Sequence, residues 1–186
     1  MYGTPVATPR DRLAALYDAC AAQALGYLVR MVGNRAWAED LLQDAFLRVS
    51  RHLHEVPDDK ALRVYLFRAA SNAAIDGMRS KRRAVRAMEA AAAAATLEGT
   101  DPAGSRAAEA LDVAAAVRKC LDRLPPRERS AVLLRIVAGL SLSDVGAALA
   151  VSDRGAARLV REGLARIRRR LSGSDTFSDL VRETTR

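Results

Sequence analysis

The sequence predicts an all-α protein built as two small helical modules. Three observations carry that expectation. Apolar residues recur at spacings of three and four rather than two, and no run of alternating β-branched residues is bounded by turn pairs. Alanine, leucine and arginine, all good helix formers, dominate a chain with only 4% aromatic residues. A length of 186 residues allows one medium domain or two small ones, and half of the residues are apolar, enough for a core.

The first module is expected over residues 8–87. Thr8-Pro9-Arg10-Asp11 is a capped helix start, with proline at the first helical position and an acid three residues after the cap. The helix that follows sets Leu13, Leu16, Tyr17, Cys20, Ala24, Leu28 and Val32 on one face, and Gly33-Asn34 ends it and caps the next. A second helix, about Arg35 to His54, buries Ala38, Leu42, Ala45, Val49 and Leu53. After a polar loop containing Pro57, Asp58 or Asp59 caps a third helix from about Ala61 to Arg86.

Residues 88–106 change character. The alanine run Ala90–Ala95, then Gly99, Asp101-Pro102 and Gly104, punctuates a segment with no amphipathic pattern. From Glu89 to Asp112 five acids face one base, Arg106, which reads as a flexible acidic linker. The second module follows over 107–172. A helix reaches Leu124 and stops at Pro125-Pro126, and another spans Arg127 to Val137 and ends by Gly139. Ser141-Leu142-Ser143-Asp144 then starts a short helix to Leu149, and Ala150-Val151 forms a turn before Ser152 caps a long last helix. Two helices joined by a tight turn, the second one basic, are a helix-turn-helix signature. In the tail, residues 173–186, Phe177, Leu180 and Val181 form a small apolar set expected to turn against the second module.

The net charge of +8 favours a polyanionic partner, and its distribution over helix faces is more informative than its size. On the last helix Ala156, Val160, Gly163, Leu164, Ile167 and Leu171 share an apolar stripe, with Arg154, Arg158, Arg161 and Arg168 opposite and Arg169 beside them. The major groove admits one α-helix, and guanidinium forks match phosphates and guanine edges. The third helix repeats the arrangement. Arg68, Asn72, Arg79, Arg83 and Arg86 line one face between Tyr65 and Asp76, and the Lys81-Arg82-Arg83 run lies near its end. That stripe offers phosphate contacts, base-edge contacts and a stacking ring. The second helix instead shows Glu39, Asp40, Gln43 and Asp44 around an exposed Leu47. Such a face suits either solvent or a partner with a basic surface.

Other classes find little support. Cys20 and Cys120 fall among apolar helical positions as packing residues, and with His52 and His54 the only histidines, no metal or other cofactor is expected. No nucleophile–base–acid set and no glycine-rich phosphate loop stands out, so no catalytic residues are assigned. No apolar stretch approaches membrane-spanning length, which makes the chain a cytoplasmic protein with no membrane insertion in this reading.

The order of these pieces then becomes recognisable. Ala38-Glu39-Asp40-Leu41-Leu42-Gln43-Asp44-Ala45-Phe46-Leu47-Arg48-Val49 resembles the helix by which bacterial sigma factors hold RNA polymerase. Leu66-Phe67-Arg68-Ala69-Ala70-Ser71-Asn72-Ala73-Ala74-Ile75-Asp76-Gly77-Met78-Arg79 resembles the segment that melts and reads the −10 promoter element. Leu124-Pro125-Pro126-Arg127-Glu128-Arg129 with the helix-turn-helix is similar to the domain that binds the −35 element. Two such domains with a short linker resemble the extracytoplasmic-function group of the sigma-70 family, over about residues 10–86 and 107–171.

The resemblance implies a factor that directs core RNA polymerase to promoters. Asp40, Gln43, Asp44 and Leu47 would face the polymerase β′ clamp helices, and the β flap would meet the second module. Tyr65, Arg68, Asn72, Arg79, Arg82 and Arg83, with the His52–Lys60 loop, would hold the −10 element. Arg154, Arg158, Arg161 and Arg168 would meet the −35 duplex. The acidic linker would follow the RNA-exit path, and an anti-sigma factor is the usual control in that family. Two other readings remain: a mimic that sequesters an anti-sigma factor, and a free-standing helix-turn-helix repressor. Relative to the family pattern, Tyr65 stands near a usual tryptophan, and Gly155-Ala156-Ala157 replaces Thr-Val-Lys. Gly146 and Ala150 depart from the usual alanine and glycine around the turn. Glycine within a helix costs up to about 1 kcal/mol, so this module is expected to be less rigid than its relatives.

Overall fold

The computed structural model describes residues 8–56, 58–93 and 109–171, with side chains for 8–56, 58–88 and 115–171. Seven helices follow one another: α1 (Pro9–Val32), α2 (Arg35–Arg51), α3 (Asp59–Ala93), α4 (Glu109–Asp122), α5 (Pro126–Ile136), α6 (Leu142–Leu149) and α7 (Asp153–Leu171). No strand occurs among the described residues. Most of the linker and the whole tail lie outside them, as does Pro57, although α3 continues through the first alanines to Ala93.

Local chemistry sets the helix starts. Thr8 and Asp11 form a reciprocal capping box, and Pro9 occupies a position whose missing N–H would have had no helical partner. Gly33 takes the left-handed conformation that ends α1 (φ 72°), and Asn34 accepts from the Trp37 N–H to start α2. Asp58 accepts from the Ala61 N–H at 2.7 Å and starts α3 two residues before the expected Ala61. α2 ends at Arg51 rather than His54 because the chain turns at once, His52 pairing with Glu55 at 3.1 Å.

Helices α1, α2 and α3 form a bundle whose buried face includes Leu28, Met31, Ala38, Val49, Leu62, Leu66 and Phe67. On α1 the observed stripe runs Leu16, Cys20, Ala24, Tyr27, Leu28 and Met31. Tyr17, expected inside, is 55% exposed, whereas Tyr27 is fully buried. The stripe keeps its direction, but α1 is covered by α2, α3 and α5 unevenly along its length: Tyr27 is enclosed, whereas Tyr17 lies beside Phe46 in an open groove. Cys20 and Cys120 are both buried free thiols, as their apolar positions suggested, and burial pushes the Cys20 thiol up.

The second module gathers α4, α5 and α6 around α7, and it does not stand apart from the first. α5 lies against α1 and α3, α6 lies against α3, and one continuous apolar core joins the two modules. The seam is also polar in a specific way. The Tyr27 hydroxyl, wholly buried, is hydrogen-bonded to Ser71 Oγ of α3 at 2.8 Å and to Ser130 Oγ of α5 at 2.7 Å. Arg129, 3% exposed, donates to the Met31 carbonyl at the end of α1 (2.7 Å) and pairs with Asp122 (3.1 Å). Arg63 of α3 donates to the Ala138 carbonyl (2.6 Å) and to Gln23 (3.0 Å). Burial is the main force lowering the Arg129 pKa and raising that of Tyr27 to about 12.

Candidate nucleic-acid interface

The helix-turn-helix is held by side-chain caps and one tight turn. Ser141 accepts from the Asp144 N–H at the start of α6, and Ser152 accepts from the Gly155 N–H at the start of α7. Between them Ala150 sits at φ 52°, and the Val151 N–H reaches back to the Gly146 carbonyl at 2.9 Å. A Cβ at Gly146 would lie 2.9 Å from the Val151 carbonyl oxygen. The glycine therefore belongs to the close approach of this turn, and the expected loosening from Gly146 is offset by the packing it permits. Gly163 has the same role deeper in the module, where a Cβ would lie 2.6 Å from Val132 Cγ2.

On α7 Ala156, Val160 and Gly163 are buried against the module, while Arg154, Arg158, Arg161, Arg168 and Arg169 are exposed. Two ion pairs involve α7: Arg158 with Glu162 of the same helix at 3.5 Å, and Arg166, beside the stripe, with Glu128 of α5 at 3.0 Å. Leu164, expected on the apolar back, is 40% exposed. At about 100° per residue it lies roughly 80° from Ala156, at the stripe's margin. It borders a groove of about 460 Å³ with Leu142, Arg161 and Arg168.

The α3 stripe is exposed along its length at Arg68, Asn72, Arg79, Arg82, Arg83 and Arg86. Tyr65, half-buried, stands edge-on to His52 with ring centroids 5.7 Å apart, which joins the stripe to the loop before it. Asp76 pairs loosely with Arg79 at 3.7 Å. At the far end Trp37 of α2 lies over Gly77, where a Cβ would sit 2.7 Å from the indole, and Lys81 approaches the same ring to 5.9 Å. The loop and the N-terminal part of α3 form a groove of about 420 Å³ lined by Val56, Lys60, Tyr65 and Arg68. Its other wall is α6, through Asp144 and Ala147, and Lys60 Nζ is 3.8 Å from the Asp144 carboxylate.

On α2 Asp40, Gln43 and Asp44 are exposed and Leu47 is 48% exposed. Glu39 is engaged by Arg35 at 2.9 Å, whereas Asp40 and Asp44 make no ion pair among the described residues. Leu47 belongs to an apolar groove of about 540 Å³ shared with Leu13, Tyr17 and Phe46, whose rings lie 5.1 Å apart. Tyr17 is thus the residue of this surface that sequence periodicity misplaced. Its amphipathic ring, apolar in body and polar at the tip, was the available signal. No group of three or more metal-ligating side chains occurs among the described residues, and no described helix is long and apolar enough to cross a membrane.

Comparison with known proteins matches the same two parts. The family described as Sigma-70 region 2 matches residues 16–84, and Sigma-70 region 4 matches residues 114–167. The chain is 36% identical over 154 residues to the RNA polymerase sigma factor CarQ of Myxococcus xanthus, covering 81% of this chain and 83% of that protein. It is 33% identical over 135 residues to the ECF RNA polymerase sigma factor SigM of Mycobacterium tuberculosis, covering 73% and 62% respectively. A solved structure of the sigma factor RpoE in complex with the anti-sigma factor NepR from Bartonella quintana shares the fold. The TM-score is 0.62 at 19% identity, covering 89% of this chain and 97% of that one.

Proposed function

Because the chain belongs to the extracytoplasmic-function group of the sigma-70 family and so directs core RNA polymerase to promoters, we propose how its three charged surfaces divide that work. The acidic face of α2, with Asp40, Gln43, Asp44 and Leu47, docks on the polymerase β′ clamp helices. Tyr17 and Phe46 extend its apolar part. The α3 stripe, with Tyr65, Arg68, Asn72, Arg79, Arg82 and Arg83, takes the −10 element, the ring and the amide meeting opened bases and the arginines the backbone. Arg154, Arg158, Arg161 and Arg168 of α7 meet the −35 duplex, and the second module touches the β flap. The chain works without catalysis of its own, in the cytoplasm beside the polymerase. Residues 8–87 and 107–172 act as the two functional units, and an anti-sigma protein is a partner of the kind that RpoE has.

The observation that carries this reading is the pairing of unlike faces on one bundle. A helix whose Asp40 and Asp44 make no ion pair among the described residues, with an exposed leucine, packs directly against a helix with an arginine stripe. A polymerase-bound bundle would thereby present its DNA face in a fixed position. Neither the repressor nor the decoy reading gains support from the likenesses.

Run-off transcription with core polymerase on fragments carrying mapped start sites tests the reading. Asp40→Ala with Leu47→Ala should weaken core binding by roughly tenfold, the size of a modest interface hot spot. The same pair should leave binding of the full chain to duplex DNA unchanged. Promoter-independent output from every fragment, or intact core affinity in the double variant, would refute the assignment.

A further inference from the structure

We propose that the cationic cavity beside Trp37, where α2 and residues 78–86 of α3 meet Asp122 of α4 and Arg129 of α5, binds a small organic phosphate. The ligand class is a ring-bearing molecule with two or more negative charges, such as a nucleoside polyphosphate. This site does not depend on the proposed function.

The cavity has a volume of about 500 Å³, within the roughly 300–1,000 Å³ usual for small-molecule sites. Lys81, Arg82, Arg86 and Arg129 line it against a single acid, Asp122. Asp122 is already engaged by Arg129 at 3.1 Å, and Lys81, Arg82 and Arg86 make no ion pair among the described residues. Three uncompensated cations therefore border one enclosed space.

Arg129 distinguishes this cavity from an ordinary basic surface. Its side chain is only 4% exposed, and its contacts with the Met31 carbonyl and with Asp122 both leave from Nη1. A guanidinium carries five N–H donors, and buried donors normally find acceptors. Nε is sealed from water with no partner, and Nη2 has no acceptor among the described residues. Burial lowers the Arg129 pKa, Asp122 opposes the shift, and Arg82 adds to it. An anionic oxygen between Arg82 and Arg129 would supply a missing acceptor and turn their repulsion into two attractions.

The other wall is apolar. Val32, Met78, Val85 and the indole of Trp37 line it. The indole packs on the bare backbone of Gly77, where a Cβ would lie 2.7 Å from the ring. Lys81 stands 5.9 Å from the centre of the same ring, so charge and aromatic surface adjoin. An inorganic ion would use the cations and leave this wall wet. A molecule with phosphates and a ring would use both.

Trp37 is the one tryptophan of the chain, so its emission reports on the cavity directly. The full chain is titrated with adenosine or guanosine triphosphate, inorganic tripolyphosphate and a short oligothymidylate, in metal-free buffer at fixed salt, with calorimetry alongside. A nucleoside triphosphate should change the emission saturably. It should bind about fivefold more tightly than tripolyphosphate, as burial of roughly 40 Å² of apolar surface would give. Arg82 also belongs to the α3 stripe, so Lys81 and Arg86 carry the test. Lys81→Ala and Arg86→Ala should each weaken nucleotide binding about tenfold, the usual worth of a charged hydrogen bond. Asp122→Asn should tighten it, since the cavity then has no carboxylate, while Arg10→Ala, at the far end of α1, should leave it unchanged.

Absence of a saturable response to either nucleotide at millimolar concentration, in emission and in heat, would overturn the proposal. So would equal weakening by Arg10→Ala and Lys81→Ala, which would reveal diffuse attraction to net charge. Tripolyphosphate binding as tightly as the nucleotides would overturn the organic ligand class. Oligothymidylate that displaces the nucleotide and itself depends on Lys81 would assign the cavity to nucleic acid and overturn it as a small-molecule site.

Discussion

Helices α3 and α7 present similar arginine faces to solvent and stand on opposite kinds of foundation. α3 rests on large side chains, with Leu62, Leu66 and Phe67 all fully buried. α7 rests on small ones, Ala156, Val160 and Gly163, and comes so close to α5 that a methyl group at Gly163 would collide with Val132. The outward faces differ as well. The α3 stripe includes an amide and is edged by a ring, Asn72 and Tyr65, whereas the α7 face is made of guanidinium groups with the carboxylates of Asp153 and Glu162 beside them. Arginine density therefore does not separate the two helices. Their companions do: in the proposed roles the amide and ring of α3 would meet bases, and the guanidinium groups of α7 would hold the duplex backbone.

The foundations predict opposite responses to mutation. Removing volume should harm the first module most. Phe67→Ala should cost about 3–5 kcal/mol in chemical denaturation, because the cavity lies at the centre of three helices. A loss below about 1 kcal/mol would mean that the bundle collapses around the gap and is not a rigid support.

The seam should respond to pH rather than to volume. Tyr27 keeps its proton to about pH 12 when folded, against an ordinary value of 10. Unfolded chains release it first, so between about pH 10 and 12 stability falls as pH rises, by roughly 2–3 kcal/mol in all. Below pH 10 this contribution is fully present. Denaturation midpoints measured across that range should fall more steeply in wild type than in Tyr27→Phe, and parallel curves would exclude the buried phenol.

Adding volume should harm the second module. Gly163→Leu should cost about 1–3 kcal/mol through overpacking against Val132, and it should weaken duplex binding through α7 while sparing oligothymidylate binding through α3. Equal losses at both faces would contradict the separation of their supports. At the faces themselves the expected effects are smaller. Arg83→Ala and Arg161→Ala should each flatten the dependence of log affinity on log salt by about one phosphate's worth, for single strand and duplex respectively. A change in base preference with Arg161→Ala would show that its guanidinium meets a base edge rather than a phosphate.

Features fixed by neighbouring residues were legible from the chain alone. The caps at Thr8, Asn34, Ser141 and Ser152 and the Ala38–Val49 face needed only spacing and residue type, and the structure has them as read. Tyr17 was misjudged and Tyr27 missed because spacing does not separate them: at about 100° per residue both fall within the arc that the buried residues of α1 cover. What covers each is set elsewhere, since Tyr27 meets α5, a helix about a hundred residues further on, whereas Tyr17 lies beside Phe46 in an open groove. The seam was illegible for the same reason. Ser71 and Ser130 look like indifferent helix residues until Tyr27 brings them together, and Tyr27 and Ser130 are 103 residues apart. Periodicity reports that a face is apolar, not what comes to cover it.

The smallest effect concerns the turn of the helix-turn-helix, where two neighbouring positions invert expectation. Ala150 occupies a left-handed conformation that costs a residue with a Cβ about 1–2 kcal/mol, while Gly146 supplies flexibility inside a helix. Exchange of the two would seem an improvement, but Gly146 faces the Val151 carbonyl at a distance that no Cβ tolerates. The positions are therefore not equivalent. Ala150→Gly relieves the left-handed strain and returns part of the gain as chain entropy, for a net increase of about 0.5–1 kcal/mol. Gly146→Ala on its own should lose about 1 kcal/mol or more, since the obstacle is backbone and the turn must shift. Thermal unfolding of the two variants measures both. If Ala150→Gly left stability unchanged, the strain would be absent in solution, and the turn would owe its shape to α7 rather than to its own residues.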